Sequence, residues 1–427
     1  MKRLKDGKNA TIYIAQSLVS GLAPVLLYPV ITNKFSPDVF GAYALIVAYV
    51  SILTGIANLG CIVGYERNFF HHENSLKDSG HLLTTVQIFV LSVFLLYTPV
   101  CIKFAQVITS LVLEDEQYAF LFVLVLISLN LQTLQQYYLT YLRNIGFAFI
   151  YFKITVLQVI LNFVMTIILL SYFDFGIYAL GYAILGSNII GFIVALLHQM
   201  TRLPVGFDRQ MLVDVLKVSL PLTPRILFGF LNTQFDKIML GMIGNIGNVG
   251  VYTIAQKISS FIFVFMTALD RVFKPNIYRM FFNKKTPEEI GKYIIPFFYV
   301  SLLPALLLIL FSREITLLIL SEEYLGVSSI LAVLSLYYAS MFIGKINGIQ
   351  LIYAKKTWLT SKITLWGILL NILINIPFIY LWGAMGAAIA TTISNLILTY
   401  TSHHYAQRYA VISLNMYFVL RIYLILF

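Results

Sequence analysis

Charged side chains make up only 11% of the 427 residues, against about 25% in an ordinary soluble domain. With 59% of the chain hydrophobic, too little polar surface remains to cover a water-soluble fold. Cysteine is nearly absent. Cys61 and Cys101 stand far apart with no second thiol at metal or redox spacing, so neither a zinc site nor a disulfide framework is expected, and both read as small buried residues. The six histidines (His71, His72, His81, His198, His403 and His404) fall in loops or at the ends of apolar runs, which argues against a metal centre. The Gly-Lys pairs at Gly7, Gly291 and Gly344 lack the rest of a Walker A pattern. No stretch between apolar runs approaches the roughly 50 residues of the smallest domains. A soluble catalytic or nucleotide-binding domain is thereby excluded, and no cofactor is expected. Acidic residues are few, 18 against 29 Lys and Arg, for a net charge of +11. The basic residues sit in short loops between apolar runs rather than on one contiguous face, which points to membrane topology and away from nucleic acid.

What is present is a series of twelve apolar runs, each close to the roughly 20 residues that cross a bilayer. They lie near 10–31, 40–64, 82–101, 118–140, 153–172 and 177–198, then near 221–243, 250–273, 293–312, 327–346, 363–381 and 384–402. The first is too long for a signal-peptide core and lacks a small-residue cleavage site, so it reads as a retained helix bent at Pro24 and Pro29. The expectation is an all-α polytopic membrane protein. Residues 406–427 form an apolar tail, too short to span and interrupted by Arg421, which is expected to lie at the interface. If the leader with Lys2, Arg3, Lys5 and Lys8 is cytoplasmic, 23 Lys and Arg fall inside. Only Lys34, Lys103 and Arg313 fall outside. That asymmetry places both termini in the cytoplasm.

The two halves, 1–207 and 208–405, resemble each other at nearly one offset, close to 207 residues. ITSLVLEDE from Ile108 aligns without a gap on ITLLILSEE from Ile315. Phe40-Gly41-Ala42-Tyr43 aligns on Val249-Gly250-Val251-Tyr252, and Gly176 and Gly181 correspond to Gly383 and Gly386. Because each half holds an even number of spans, both insert with the same orientation. Two parallel six-helix repeats around a central cavity are expected.

Four charges fall inside the apolar runs. Arg225, Asn232 and Asp236 share one face of the seventh run with Gly229, at spacings of four, three and four residues. Lys237 lies off that stripe. In the eighth run Gln256 and Lys257 begin a polar side that continues through Ser260 and Thr267. A charge at the centre of a lipid-facing helix costs at least about 2.5 kcal/mol, so these groups are expected to face a wet cavity or to form an ion pair such as Asp236–Lys237 or Asp236–Lys257. Amides collect on other faces: Gln132, Gln135 and Gln136 in the fourth run, Gln158 and Asn162 in the fifth, Asn371 and Asn375 in the eleventh. Hydrogen bonding between helices is the plain account of such amides.

Several stretches resemble one family. LLYPVITNKFSPDVFGAYALIVAYVSIL, SLPLTP, the Asp236-Lys237 pair, GVYTIAQK from Gly250, Pro275, and GAMGAAIATTISN from Gly383 together resemble the Wzx-type polysaccharide flippases of the multidrug, oligosaccharidyl-lipid and polysaccharide exporter superfamily. The family usually has Asp-Arg where this chain has Asp236-Lys237. The resemblance covers essentially the whole chain. It implies a non-enzymatic carrier that moves an undecaprenyl-pyrophosphate-linked oligosaccharide across the bacterial inner membrane, for O-antigen, capsule or exopolysaccharide. A polysaccharide polymerase and a chain-length regulator are the implied partners, with proton or cation coupling. On that reading Arg225, Lys257 and Lys237 meet the pyrophosphate, Asp236 couples or pairs with them, and the amides, with Asn232 and Gln256, meet the glycan. Three other readings fit less well. A multidrug exporter of the same superfamily often has an acidic residue in its first helix, which this one lacks. A peptidoglycan-precursor flippase commonly has fourteen helices. A membrane glycosyltransferase needs a larger soluble portion.

The charge bias predicts that a cysteine introduced at Asn283, with Cys61 and Cys101 replaced, is shielded in intact cells from an impermeant thiol reagent, whereas one at Asn245 reacts. The reverse pattern overturns the orientation.

Overall fold

In the computed structural model the apolar runs are helical, as hydrocarbon requires, because only a helix or a closed barrel satisfies every backbone polar group internally. The structure describes the backbone of residues 2–414, 421 and 423, and their side chains except at 2–8, 10, 225, 227, 228, 230–232, 271 and 357. Among the described residues there is no strand, and ten segments are long and apolar enough to cross a membrane. The tenth, Trp358–Gln407, contains a kink at Gly383 and covers both the eleventh and twelfth expected runs. The seventh run is covered by α9 (Arg209–Ile243). Each expected crossing therefore has a helical counterpart.

The chain forms two compact units, the first comprising residues 1–35 and 42–238, the second 36–41 and 239–427. This boundary differs from the expected division at 207. The reason is local packing of α9. Thr223 donates to the Leu59 carbonyl at 2.9 Å, and Asn68 donates to the Asp214 carbonyl at 3.4 Å. A Cβ on Gly64 would stand 2.2 Å from the Ser219 Oγ, so only glycine allows this approach. Most of α9, up to Ile238, thus joins unit 1.

Unit 1 contains α1 (Lys2–Lys34), α2 (Pro37–Ala57) from Ala42 onward, α3 (Cys61–His72), α4 (Leu76–Lys103), α5 (Ala105–Leu113), α6 (Ala119–Asn144), α7 (Ala148–Ser171) and α8 (Tyr178–Arg202), and the first turn of α2 belongs to unit 2. The single run expected over 40–64 is broken between α2 and α3, where Leu59 and Gly60 take positive φ of 48° and 65°. The core of unit 1 is aromatic. Tyr65, Phe69 and Tyr137 are fully buried against Leu83, Val86 and Val215, with Tyr65 and Tyr137 edge to face at 5.9 Å.

Unit 2 contains α10 (Ile246–Ser259), α11 (Phe261–Phe282), α12 (Pro287–Leu310), α13 (Ser312–Ile319), α14 (Val327–Tyr353) and α15 (Thr357–Gln407). The run expected over 250–273 divides at Ser260 into α10 and α11. A capping box starts α12: Thr286 Oγ1 accepts from the Glu289 amide at 3.2 Å, and the Glu289 carboxylate accepts from the Thr286 amide at 2.9 Å. Part of the tail over 406–427 is described, and it packs on this unit. Ala410, Ile412 and Tyr423 are buried with Phe298 and Phe342 in the core of this unit, and Tyr423 donates to the Ala339 carbonyl at 3.3 Å. Residues 415–420, 422 and 424–427 lie outside the described residues.

The repeat is visible element by element. A short helix, a one-turn 3₁₀ segment and a long helix follow one another at α5, Glu116–Tyr118 and α6, and again at α13, Glu322–Tyr324 and α14. Gly176 and Gly383, paired by sequence, have φ of 54° and 53°. Gly41 and Gly250, aligned by sequence, are helical residues. They lie in the first turns of α2 and α10, where the helices touch. A Cβ on Gly41 would stand 2.0 Å from the Ile246 carbonyl oxygen, and one on Gly250 would stand 2.3 Å from that of Pro37. Each glycine meets the carbonyl four residues before the other, a reciprocal contact of the kind a local two-fold makes.

Gly41→Ala is expected to cost about 1–3 kcal/mol through overpacking and to lower the thermal midpoint of the purified protein. Gly348→Ala, where a Cβ meets nothing within 4 Å, serves as the neutral comparison. An unchanged midpoint for Gly41→Ala removes the packing argument.

Candidate functional site

Unit 1 encloses a cavity of about 380 Å³ between α1, α6, α7 and α8. Gln132, Gln135 and Gln136 come from α6, at spacings that place all three on one side of a helix. Gln158 and Asn162, one turn apart on α7, face them, and α1 adds Gln16 and Ser20. Five amides singled out in two separate runs thus line one space. Close approach of α8 is permitted by Gly191, where a Cβ would sit 3.0 Å from Gln158 Cδ and 3.3 Å from Gln135 Nε2.

Most of the polar groups around the cavity hold one another in place. Gln158 Nε2 donates to Asn188 Oδ1, and Asn188 Nδ2 donates in turn to Ser128 Oγ at 2.6 Å and to the Ser128 backbone carbonyl at 3.1 Å. Asn162 donates to Ser187 Oγ at 3.5 Å, and Gln16 to Ser20 Oγ at 2.9 Å. Gln135 is different. It is 1% exposed, and neither its amide nitrogen nor its oxygen has a hydrogen-bond partner.

Unit 2 holds the corresponding cavity, of about 330 Å³, between α11, α14 and α15. Gln132, Gln135, Gln136 and Leu139 are matched there by Met341, Gly344, Lys345 and Gly348, a constant offset of 209 residues. Tyr151 and Thr155 are matched by Thr360 and Thr364 at the same offset. Amides give way to charge: Lys345 Nζ lies 3.7 Å from Asp270 Oδ2 and 5.0 Å from the centre of the Phe263 ring. Lys345 stands within α14 and Asp270 at the end of the candidate span Ile246–Asp270.

The other sequence-selected residues are distributed between the units. Asp236 is 7% exposed in unit 1, where the neighbouring Lys237 donates to Gln234 Oε1 at 3.4 Å. Lys257 and Gln256 are half-buried on α10 in unit 2. The side chains of Arg225 and Asn232 lie outside the described residues. On α15, Asn375 donates to Asn371 Oδ1 at 3.0 Å and Asn371 to Thr391 Oγ1 at 3.3 Å, a ladder joining the two arms of the kinked helix. Gln16, Ser20, Ser187 and Asn188 escaped sequence reasoning. A signal for two of them was available, since Ser187-Asn188 recurs as Ser394-Asn395 at an offset of 207, and Asn395 donates to Ser340 Oγ at 2.6 Å.

Residues 34–329 match the family model described as polysaccharide biosynthesis protein. The chain belongs to this family. Its relatives include Lsg locus putative protein 1 of Haemophilus influenzae, 23% identical over 76% of this chain and 79% of the relative. A second is the probable low-salt glycan biosynthesis flippase Agl15 of Haloferax volcanii, 23% identical over 42% of this chain and 39% of the relative. Among solved structures, the lipid II flippase MurJ in an inward closed conformation matches with a TM-score of 0.75 at 16% identity, over 93% of this chain and 87% of that one. An inward-facing multidrug resistance MATE family transporter of the MOP superfamily matches with 0.70, also at 16% identity, over 91% and 94%. At such identities these structures establish the fold of the family member, a multi-pass membrane protein, and nothing finer.

The Lys345–Asp270 pair makes a stability prediction. Lys345→Met or Asp270→Asn alone leaves a charge unpaired in the cavity and is expected to lower the thermal midpoint more than the two together. Additive effects in this double-mutant cycle remove the pair as a structural element.

Proposed function

We propose that the protein is a flippase that carries an undecaprenyl-pyrophosphate-linked oligosaccharide from the inner to the outer leaflet of a bacterial inner membrane by alternating access. The observation that carries this reading is the family match across residues 34–329, with a glycan biosynthesis flippase among the relatives. Both termini lie in the cytoplasm on this reading, and the work is transport, with no bond made or broken. O-antigen, capsule and exopolysaccharide repeat units all share the chemistry required. A polymerase and a chain-length regulator would receive the product.

The pyrophosphate sets the central electrostatic problem. Its charge must leave bulk water, and the cost falls only if fixed cations replace the lost hydration. Arg225, in α9, and Lys257, in the candidate span Ile246–Asp270, are proposed to hold the anion, with Lys237 as a further cation near the outer end of α9. Asp236 lowers the net positive charge of the group and so favours release. It is also the intramembrane carboxylate assigned to proton or cation coupling.

Charge should then matter more than shape at Lys257. Lys257→Arg is expected to keep part of the export activity and Lys257→Gln to lose most of it. Lys355→Gln, at an exposed turn between α14 and α15, should change little. Surface polysaccharide in a deletion strain is the readout, at matched membrane protein levels. Full export by an Arg225→Gln, Lys257→Gln double variant sinks the cationic mechanism.

A further inference from the structure

We propose that the unit 1 cavity is a subsite for one uncharged sugar residue of the carried oligosaccharide, with Gln135 as the side chain that reads its hydroxyls. The proposal rests on the flippase reading and specifies which part of the substrate this unit meets. At about 380 Å³ the cavity falls at the lower end of small-ligand pockets, which run from roughly 300 to 1,000 Å³. That is the scale of a monosaccharide unit rather than a whole repeat.

The lining decides the chemical class. A sugar hydroxyl both donates and accepts, and a carboxamide offers the same pair of functions in one rigid group. Gln16, Gln132, Gln135, Gln136, Gln158 and Asn162 supply six of them around one space. Tyr151 and Phe163 add ring faces for the apolar side of a pyranose. Among the described residues lining the cavity, none is Asp, Glu, Lys, Arg or His. A pyrophosphate or a uronate would lose its hydration there without a counter-charge. An uncharged sugar loses only hydroxyl hydration, which the amides replace.

Two observations separate this from simple helix-to-helix bonding. First, Gln135 is buried yet makes no hydrogen bond through either end of its amide. Leaving a buried polar group unsatisfied costs about 1–3 kcal/mol, a cost that a hydrogen bond to a sugar hydroxyl in the adjoining cavity would remove. Its neighbours Gln158 and Asn188 are bonded, so the frame around it is fixed while its own amide is left without a partner beside the cavity. Second, the corresponding positions in unit 2 are Gly344 and Lys345 instead of Gln135 and Gln136. The same helical frame closes there without these amides, so packing does not require them.

The test uses purified protein in nanodiscs free of glycosidic detergent, with glucose, galactose, N-acetylglucosamine and glucuronate as probes in saturation-transfer difference NMR. At least one neutral sugar should receive saturation from the wild type and glucuronate should not. In Gln135→Leu, close in shape, the neutral-sugar signal is expected to fall about fivefold, the size of one lost hydrogen-bonding group. Ser20→Phe fills the cavity from α1 and should abolish the signal while Gln135 remains. Thermal midpoints confirm that both variants fold, and if Gln135→Leu does not, Ser20→Phe decides. No transfer to any neutral sugar, equal transfer to glucuronate, or full binding by a folded variant overturns the proposal. A parallel proteoliposome assay of lipid-linked oligosaccharide translocation keeps the two readings apart. Wild-type translocation by both variants sinks the subsite and leaves the flippase. Neutral-sugar binding in a protein that moves no lipid-linked oligosaccharide sinks the flippase and leaves a sugar-binding cavity.

Discussion

The hydrocarbon interior offers no hydrogen-bond partner, and the polar groups of this protein are disposed accordingly. Backbone groups close within helices. Hydroxyls inside the spans mostly close on the carbonyl a turn earlier, as Thr84 does on Gly80, Ser259 on Ala255 and Ser335 on Leu331. Amides need more than one partner, so they pair across helices, as Asn188 does with Ser128 and Asn371 with Thr391. A few buried groups, among them the Tyr65 and Ser219 hydroxyls and both ends of the Gln135 amide, are closed in neither way. Gln135 belongs to this last class, which is why so small a feature carries so much functional weight.

Duplication explains where the cavities are, and divergence explains how they differ. The shared frame is set by small residues and breaks: the Ser-Asn pair of α8 and α15, the glycines with φ near 54° at 176 and 383, and the short helices α5 and α13. These fix backbone paths, which tolerate little change. Side chains that project into a cavity touch fewer atoms, so they can change without moving a helix. Gln136 and Lys345 occupy corresponding positions with opposite demands, one neutral and one paired to Asp270 at 3.7 Å. One frame therefore houses two chemistries.

Hydropathy and period made the crossings, the repeat and the amide faces legible in the sequence, because each is a property of long windows. What stayed hidden depends on single contacts. The apolar run over 40–64 has no proline or charge at its middle, yet it breaks at Leu59–Gly60, where α9 donates a hydrogen bond to the freed Leu59 carbonyl. Most of α9 joins unit 1 for the same reason, and no sequence offset records that packing. The pairing of Lys345 with an aspartate 75 positions away leaves no mark in a count of charges. Burial of Ala410, Ile412 and Tyr423 against their neighbours likewise cannot be read from the length of the tail. Conversely, the amides of α6 and α7 were found separately, and only the structure made them one lining.

A carrier must hold its cargo firmly enough to select it and loosely enough to let go. Fixed cations meet the first need for a pyrophosphate, but each strong charge contact also deepens the bound state. Neutral amides work differently. Each hydrogen bond they make to a hydroxyl replaces one made to water, so the net gain is small, about 0.5–1.5 kcal/mol. Several such contacts distinguish one sugar from another through geometry while adding little to the barrier for release. A charged residue in the unit 1 cavity would forfeit that advantage twice: it would cost desolvation when the cavity is filled with an uncharged sugar, and it would bind an acidic one too tightly. The neutrality of the described lining is thus the property expected of a surface that recognises a glycan and then relinquishes it.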